Sequence, residues 1–446
     1  LYIAVLLLAG VLTSCKVGKS YVRPDLHLPD SLERAQDSIS FGDQDWRDIY
    51  TDATLRSLIE RALDHNKDML IAAARVKEMA AQKRISTAAL LPDIKGKVTA
   101  ERELENHGGD AFKRSETFEA QFLVSWELDL WGNLRWARSA SIAEYLQSIE
   151  AQRALRMTIV AEVAQAYYEL VALDTELDIV KQTLKAREEG VRLARIRFAG
   201  GLTSETSYRQ AQVELARTAT LVPDLERKIS LKENDIAYLA GEYPNKIARS
   251  RLLQEFNSPE TLPVGLPSTL LERRPDIRQA EQKLIAANAK VGVAYTNMFP
   301  RLALTGGFGS ESTSLSELLK SPYAVMEGAL LTPIFGWGKN RAALKAKKAA
   351  YEAEVHSYEK AVLEAFKETR NAIVNFNKIK EVYELRANLE RSAKSYMDLA
   401  QLQYINGVIN YLDVLDAQRG YFDAQIGLST FTTETTCQGK TREHIC

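Results

Sequence analysis

The sequence predicts a mainly helical chain with a small membrane-type β part, laid out as two copies of one long helical hairpin. Three observations carry this reading. The chain repeats itself with a period of about 206 residues. Two stretches of about 65 residues lack the residues that stop helices, and four short segments between helices alternate apolar with polar side chains.

The repeat is read from matching landmarks. Trp131-Gly132 with Arg135 recurs as Trp337-Gly338 with Arg341, and Phe198, Gly201, Ala211 and Gln212 recur as Tyr404, Gly407, Ala417 and Gln418. Upstream, Leu91-Pro92 recurs as Phe299-Pro300 with a slip of two residues. Asn133 to Ala199 holds no Pro and a single Gly, Gly190, while Lys339 to Asn406 holds neither. At about 1.5 Å per residue each of these helices reaches on the order of 100 Å, several times the width of a globular domain. Val160, Val163, Tyr167 and Leu170, then Leu173, Leu177, Val180 and Leu184, follow the three-four spacing of coiled-coil packing, with one phase slip. Such a seam requires neighbouring helices.

Both long helices end at compact turn signals, Gly200-Gly201-Leu202-Thr203-Ser204 and Asn406-Gly407-Val408-Ile409-Asn410, after which helical periodicity resumes. The first return helix is expected from about Ser204 to Ala240, where Gly241 and Pro244 stop it. A second short helix is expected from about Pro275 to Asn297, after a stretch holding Pro259, Pro263 and Pro267. Together the two nearly match one long helix and are expected to stack end to end beside it. A helix from about Asp52 to Leu90 is expected to pair likewise with the return helix beginning near Asn410.

Of the candidate strands, Phe118, Ala120, Phe122, Val124, Trp126 and Leu128 alternate with polar residues, broken only by Leu123, and Ile94, Val98 and Ala100 alternate with Lys95, Lys97, Thr99 and Glu101. The second half offers Leu302, Leu304 and Phe308, then a weaker pattern from Tyr323 to Leu331. Each segment alone would fit an amphipathic sheet on a helix-covered core. The long helices are expected to project away from the strands, which favours a membrane barrel. Four strands cannot close one, since bacterial barrels have at least eight; three chains would supply twelve.

Composition is that of a folded protein, 46 % hydrophobic and 26 % charged, and 58 basic against 59 acidic residues leave a formal charge of −1. Nothing in that balance attracts nucleic acid or an anionic membrane. Leu1 to Leu12 is apolar but too short to cross about 30 Å of hydrocarbon; it reads as the apolar part of a signal peptide, with the initiator Met and basic start trimmed away. Leu12-Thr13-Ser14-Cys15 resembles the bacterial lipobox, which implies a signal peptide over 1–14 and acylation of Cys15, and Lys16 in place of Asp implies outer-membrane sorting. With Cys15 acylated, Cys437 and Cys446 form the one possible disulfide pair, and with His444 they make a poor zinc motif. No metal or cofactor is expected.

Leu270-Leu271-Glu272-Arg273-Arg274-Pro275-Asp276-Ile277, with Ala280-Glu281, Ala294 and Phe299-Pro300, resembles the most recognisable motif of the outer-membrane factor (TolC) family, in its lipidated branch serving resistance-nodulation-division (RND) multidrug pumps. Trp46 with Asp52, Leu55, Leu58, Ala62-Leu63 and Asn66 is similar to the family's opening helix, and Tyr411 to Arg419 to its segment after the second periplasmic turn. The resemblance implies a homotrimeric drug-efflux duct, a twelve-stranded outer-membrane barrel on a twelve-helix periplasmic tube, working with a periplasmic adaptor and an inner-membrane RND transporter. It implies constriction rings at Leu412 and Asp416, with Arg419 one turn on as the nearest basic group to hold Asp416, and adaptor docking at the turns Gly200, Gly201, Leu202, Thr203 and Asn406, Gly407, Val408, Ile409. Without the resemblance, Asp416 and Arg419 read as an ordinary surface pair worth a few tenths of a kcal/mol.

The implied organisation is a lipid-anchored segment over 15–51, a first repeat over 52–240, a linker over 241–269, a second repeat over 270–429 and a tail over 430–446. In the tail, Thr430 to Thr436 is rich in β-branched residues, so the helix is expected to end near Ser429, as if truncated or frameshifted. A structural coiled-coil adaptor without a pore is the main alternative, and it leaves the paired strands unexplained. An enzyme is disfavoured: His27, His65, His107, His356 and His444 are scattered, no catalytic motif is present, and Gly306-Gly307-Phe308-Gly309 lacks the helix a phosphate loop needs.

Overall fold

The structure, a computed structural model, describes residues 16–26, 45–106, 108, 113–250, 273–334 and 336–443, the stretch 432–443 by its backbone alone. Cys15, Cys446 and the linker motif Leu270 to Glu272 lie outside the described residues. In chain order the elements are α1 (Trp46–Ile49), α2 (Ala53–His65), α3 (Lys67–Ala88), β1 (Asp93–Glu105), β2 (Lys113–Leu128), α4 (Asn133–Ala199), α5 (Glu205–Leu239), α6 (Pro275–Thr296), β3 (Arg301–Ser312), β4 (Pro322–Leu331), α7 (Lys339–Ile405) and α8 (Tyr411–Glu443). A 3₁₀ turn, Leu315–Lys320, joins β3 to β4. None of the described helices is long and apolar enough to cross a membrane.

The chain forms two compact units. One comprises Leu1–His27, Ala74–Ala151 and Pro275–Ala361, the other Leu28–Ala73, Gln152–Arg274 and Val362–Cys446. The first unit holds the sheet, four antiparallel strands in the order β1-β2-β3-β4. Because side chains alternate across a strand, one face collects Ile94, Val98, Phe122, Phe308, Met326 and Leu330, all of them exposed. The other face is polar: Lys97 pairs with Glu119 at 3.2 Å, and the Tyr323 hydroxyl donates to Glu119 at 2.7 Å. The Gly306-Gly307-Phe308-Gly309 run lies inside β3, as a strand and not a phosphate loop.

The duplication extends to strand register. The shift that takes Trp131 to Trp337 takes β2 onto β4, and the shift that takes Leu91-Pro92 to Phe299-Pro300 takes β1 onto β3. Applied together they turn the β1–β2 pairs Ile94↔Val124 and Ala100↔Phe118 into Leu302↔Leu330 and Phe308↔Ala324, which are the pairs found between β3 and β4.

Beside the sheet, Trp136 of α4 is buried, and its indole N–H donates to the Val17 carbonyl at 2.8 Å. Its ring lies on α6 where Gly292 offers no side chain; a methyl group there would fall 2.3 Å from the ring. The Lys16 ammonium sits 3.4 Å above the same ring and donates to Ser139, and Arg23 makes a bidentate pair with Glu281 at 2.7 and 2.8 Å. Residues 16–23 are thereby strapped to α4 and α6. Between these two helices, Arg278 pairs with Glu150 and Lys290 with Glu144.

In the second unit, Tyr50, Leu55, Leu58 and Ile59 pack with Val160, Val163, Tyr167 and Leu170 of α4 and Ile236 of α5 in one apolar core, each large side chain contributing about 1.5–3 kcal/mol when fully buried. The predicted seam is therefore buried over its first four positions, while Leu173, Leu177 and Leu184 are half-buried. The helix expected from Asp52 to Leu90 is broken at Asn66, whose backbone leaves the helical region. The Asn66 side chain substitutes for the lost helical bonds: its oxygen accepts from the backbone of Asp68 and Met69, and its amide donates to the Leu239 carbonyl at 2.9 Å. Asp52 caps α2 through Thr54 and Leu55 and also accepts from Tyr167 at 2.7 Å and Ser250 at 3.0 Å. Burial alone would raise its pKa, but those four hydrogen bonds outweigh it and hold the carboxyl below its ordinary value.

The tail corrects the sequence reading. The helix does not stop near Ser429; α8 runs unbroken to Glu443. Threonine lowers helix propensity by only tenths of a kcal/mol per residue, a weak prior against tertiary contact. At the start of this stretch Arg386 of α7 makes such contact, donating to the Gly427 carbonyl and stacking over Phe431 at 4.9 Å.

Candidate gate and tip

The two predicted turns are copies of one motif. In the first, Gly201 has φ 68°, its N–H reaches the Phe198 carbonyl at 2.9 Å and the Leu202 N–H reaches Arg197 at 2.8 Å. In the second, Gly407 has φ 75°, its N–H reaches Tyr404 at 3.0 Å and the Val408 N–H reaches Gln403 at 2.9 Å. This is the Schellman arrangement, in which a left-handed glycine lets the last carbonyls of a helix be satisfied as the chain turns. Leu202 and Val408 stand at matching places, both largely exposed. Thr203 and Ile409 are half-buried, Ile409 against the cluster described below. Asn410 then opens α8, its N–H bonded to the Asp413 carboxylate at 3.0 Å.

Just behind the turns, Ala194 and Ala211 of the first hairpin pack with Tyr404, Tyr411, Val414 and Leu415 of the second. Arg197 stacks over Tyr404 at 4.6 Å, and the Tyr404 and Tyr411 rings lie 5.3 Å apart. Burial pushes the Tyr411 phenol up to about 12. Because Tyr411, Val414 and Leu415 take the inner face of α8, Leu412, Asp416 and Arg419 fall on the other face, one turn apart and exposed. The first hairpin carries Thr206 and Gln210 where the second carries Leu412 and Asp416, so these side chains belong to one half of the duplication alone.

Arg419 is placed differently from the sequence expectation. Its guanidinium bonds to Glu214 of α5, across the two hairpins, and not to Asp416, which acts on it only through space. Glu214 is buried and also holds Arg187 of α4 at 3.0 Å, while Arg187 donates to the Glu214 carbonyl at 2.9 Å and to the Thr218 hydroxyl. Arg217 lies 3.6 Å from the same carboxylate. The bond from Arg419 lowers the Glu214 pKa; burial opposes it, and the charges of Arg419, Arg187 and Arg217 prevail. Sequence reading missed Glu214. The available signal was a charged residue within an apolar stripe, since Ala211, Glu214, Thr218 and Leu225 all lie on the buried side of α5. No cluster of potential metal ligands occurs among the described residues.

Residues 58–242 and 266–438 match the outer membrane efflux protein family, both repeats included. The chain is 32 % identical to outer membrane protein OprJ of Pseudomonas aeruginosa over 97 % of its length and 92 % of that protein. It is 28 % identical to the cation efflux system protein CusC of Escherichia coli O6:H1, over 93 % of this chain and 91 % of that one. Its fold superposes on the open state of the Neisseria gonorrhoeae MtrE outer membrane channel with a TM-score of 0.88, at 27 % identity over 97 % and 98 % of the two chains. A duplicated helical hairpin carrying a four-stranded sheet is thus the architecture of an outer-membrane efflux channel. This chain belongs to the outer membrane efflux protein family. It is an outer-membrane channel component and not an enzyme, and the poreless adaptor reading is set aside, because the match includes the strands as well as the hairpins.

The Glu214 junction has a definite pH signature. Its pKa is lower folded than unfolded, where a glutamate titrates near 4.3, so its contribution is present above that value and lost as pH falls through the folded pKa. Glu214→Gln leaves Arg187 buried without its anion, a loss of about 3–5 kcal/mol. Thermal unfolding in detergent is expected to show a lower Tm for the variant at pH 7 and a shrinking difference below about pH 4.

Proposed function

We propose that three copies of this chain form one passive duct, through which drugs and other small molecules expelled by an inner-membrane RND transporter cross the periplasm and the outer membrane. The observation that carries this is the four-stranded sheet itself. Its apolar face is exposed, and among the described residues β1 and β4 have a strand on one side only. Such edges are untenable in hydrocarbon unless paired, and closure takes at least eight strands, so four per chain require further copies. Three copies give twelve strands. The same three-fold axis would bring three α8 helices together.

Within that duct the exposed row on α8 is the gate. Three Leu412 side chains would make an apolar neck that disfavours water and ions, and three Asp416 carboxylates would place negative charge next to it. The Glu214–Arg419 bond supports this by tying α8 to the neighbouring hairpin, so the neck widens only when that junction yields. The double variant Leu412→Ala, Asp416→Ala is expected to conduct several-fold more than the parent in planar bilayers, and Asp416→Ala alone to lose cation preference. Unchanged conductance and selectivity from an assembled trimer would place these residues away from the axis.

The turns at 200–204 and 406–410 serve as the docking tip for a periplasmic adaptor, because each closes a helix of 67 residues that begins just after the strands. Leu202 and Val408 give that tip two matched exposed apolar side chains. Crosslinks from Thr203→Cys and Ile409→Cys to adaptor hairpins are the expected outcome, and crosslinks confined to variants at Gly108 or Ser312 would reverse the orientation.

Acylation of Cys15, by palmitate among other chains, anchors the duct, each buried CH₂ contributing about 0.8 kcal/mol. The strap supports this reading, since Lys16 is held against Trp136 in the same unit as the sheet. Mass spectrometry of the mature N-terminus should find a lipid-modified residue 15; an unmodified terminus at any other position would refute it.

A further inference from the structure

The duplication fixes more than the number of strands. Resting on the three-copy barrel proposed above, we propose that β4 of one copy pairs with β1 of the next in a single register, with Leu330 opposite Val98 and Ile334 opposite Ile94. Two junctions alternate around such a barrel. One, β2 with β3, lies inside the chain and joins the first repeat to the second. The other joins the second repeat of one copy to the first repeat of its neighbour. If the repeats are equivalent, the visible junction is a template for the other.

That equivalence holds at the level of individual pairs, because the two shifts that relate the repeats carry the β1–β2 hairpin onto the β3–β4 hairpin without a slip. Applied to the β2–β3 junction, with β2 moved forward to β4 and β3 moved back to β1, the shifts convert its pairs directly. Val124↔Gly306 becomes Leu330↔Val98, and Leu128↔Leu302 becomes Ile334↔Ile94.

An independent check comes from the side chains. A slip of one residue would set the apolar face of one strand against the polar face of the other. The derived register avoids this: Leu330, Val98 and Ile94 lie on the apolar face, Ile334 follows just past the end of β4, and all four are exposed in the isolated chain. On the polar face it places Glu327 opposite Glu101, a like-charge pair that a slip of two residues would relieve. The two-residue slips are therefore the competitors that need testing.

Directly opposed residues have Cβ atoms about 4.5–5.5 Å apart, diagonal ones about 7–8 Å, and a disulfide spans about 4 Å, so oxidation distinguishes the registers. The test uses the full chain in outer-membrane preparations, with Cys437→Ser and Cys446→Ser as background. Leu330→Cys is combined in turn with Val98→Cys, Gly96→Cys and Ala100→Cys, and each is oxidised and run on non-reducing gels. The expected result is covalent dimers and trimers from the Val98 pair at roughly fivefold or greater yield over the other two. Native mass spectrometry of each variant reports the assembly separately. A trimer crosslinked best through Gly96 or Ala100, equally through all three or through none overturns the register and leaves the three-copy duct standing. Assemblies of any other size overturn both.

Discussion

A sheet whose two edge strands each lack a second strand partner among the described residues, and whose apolar face is exposed, cannot persist alone in hydrocarbon, where each unsatisfied backbone group costs several kcal/mol. That constraint organises the rest of the molecule. It makes self-association a condition of membrane insertion, and it requires each chain to present complementary edges. The internal duplication would meet the requirement economically, because an edge that fits its counterpart within the chain would fit the same counterpart on another copy. The matched hairpin registers show how closely the two halves have kept this geometry.

The halves have diverged at the other end of the long helices. The turns remain superimposable down to their hydrogen bonds, yet Leu412 and Asp416 face Thr206 and Gln210 as their repeat counterparts, and Glu214 has Gly420 as its own. Strict equivalence would give every hairpin the same freedom to splay. Here one junction inside the chain is tied by a buried carboxylate and its arginines, and a single hairpin carries the exposed leucine and aspartate. In the proposed duct the duplication would supply the tube, and its local breakdown the control.

Much of this was legible in the sequence. Helices without Pro, terminated by glycine at a fixed offset, leave a strong periodic signal, and both long helices and both turns fall within a residue or so of their expected places. What was not legible depends on partners distant in the chain. Asn66 interrupts a helical pattern because its amide finds Leu239, and the tail stays helical with Arg386 over Phe431. Arg419 has a nearer acid in sequence, Asp416, but folding brings Glu214 within bonding distance from 205 positions away. Local propensity cannot rank such contacts, since each is decided by which helices become neighbours.

The strap at residues 16–23 has a consequence for how the sheet sits in the bilayer. Trp136 holds Val17 by its carbonyl, the Trp131 carbonyl holds Val17 by its N–H, and Lys16 is pinned over the ring. One further residue spans at most about 3.6 Å, so if Cys15 carries the proposed lipid, its glyceryl group would have almost no slack relative to the end of β2. An acyl chain held this way would act as a depth gauge. Its headgroup level would set how far the strands rise into the membrane, independently of how greasy their outer face happens to be.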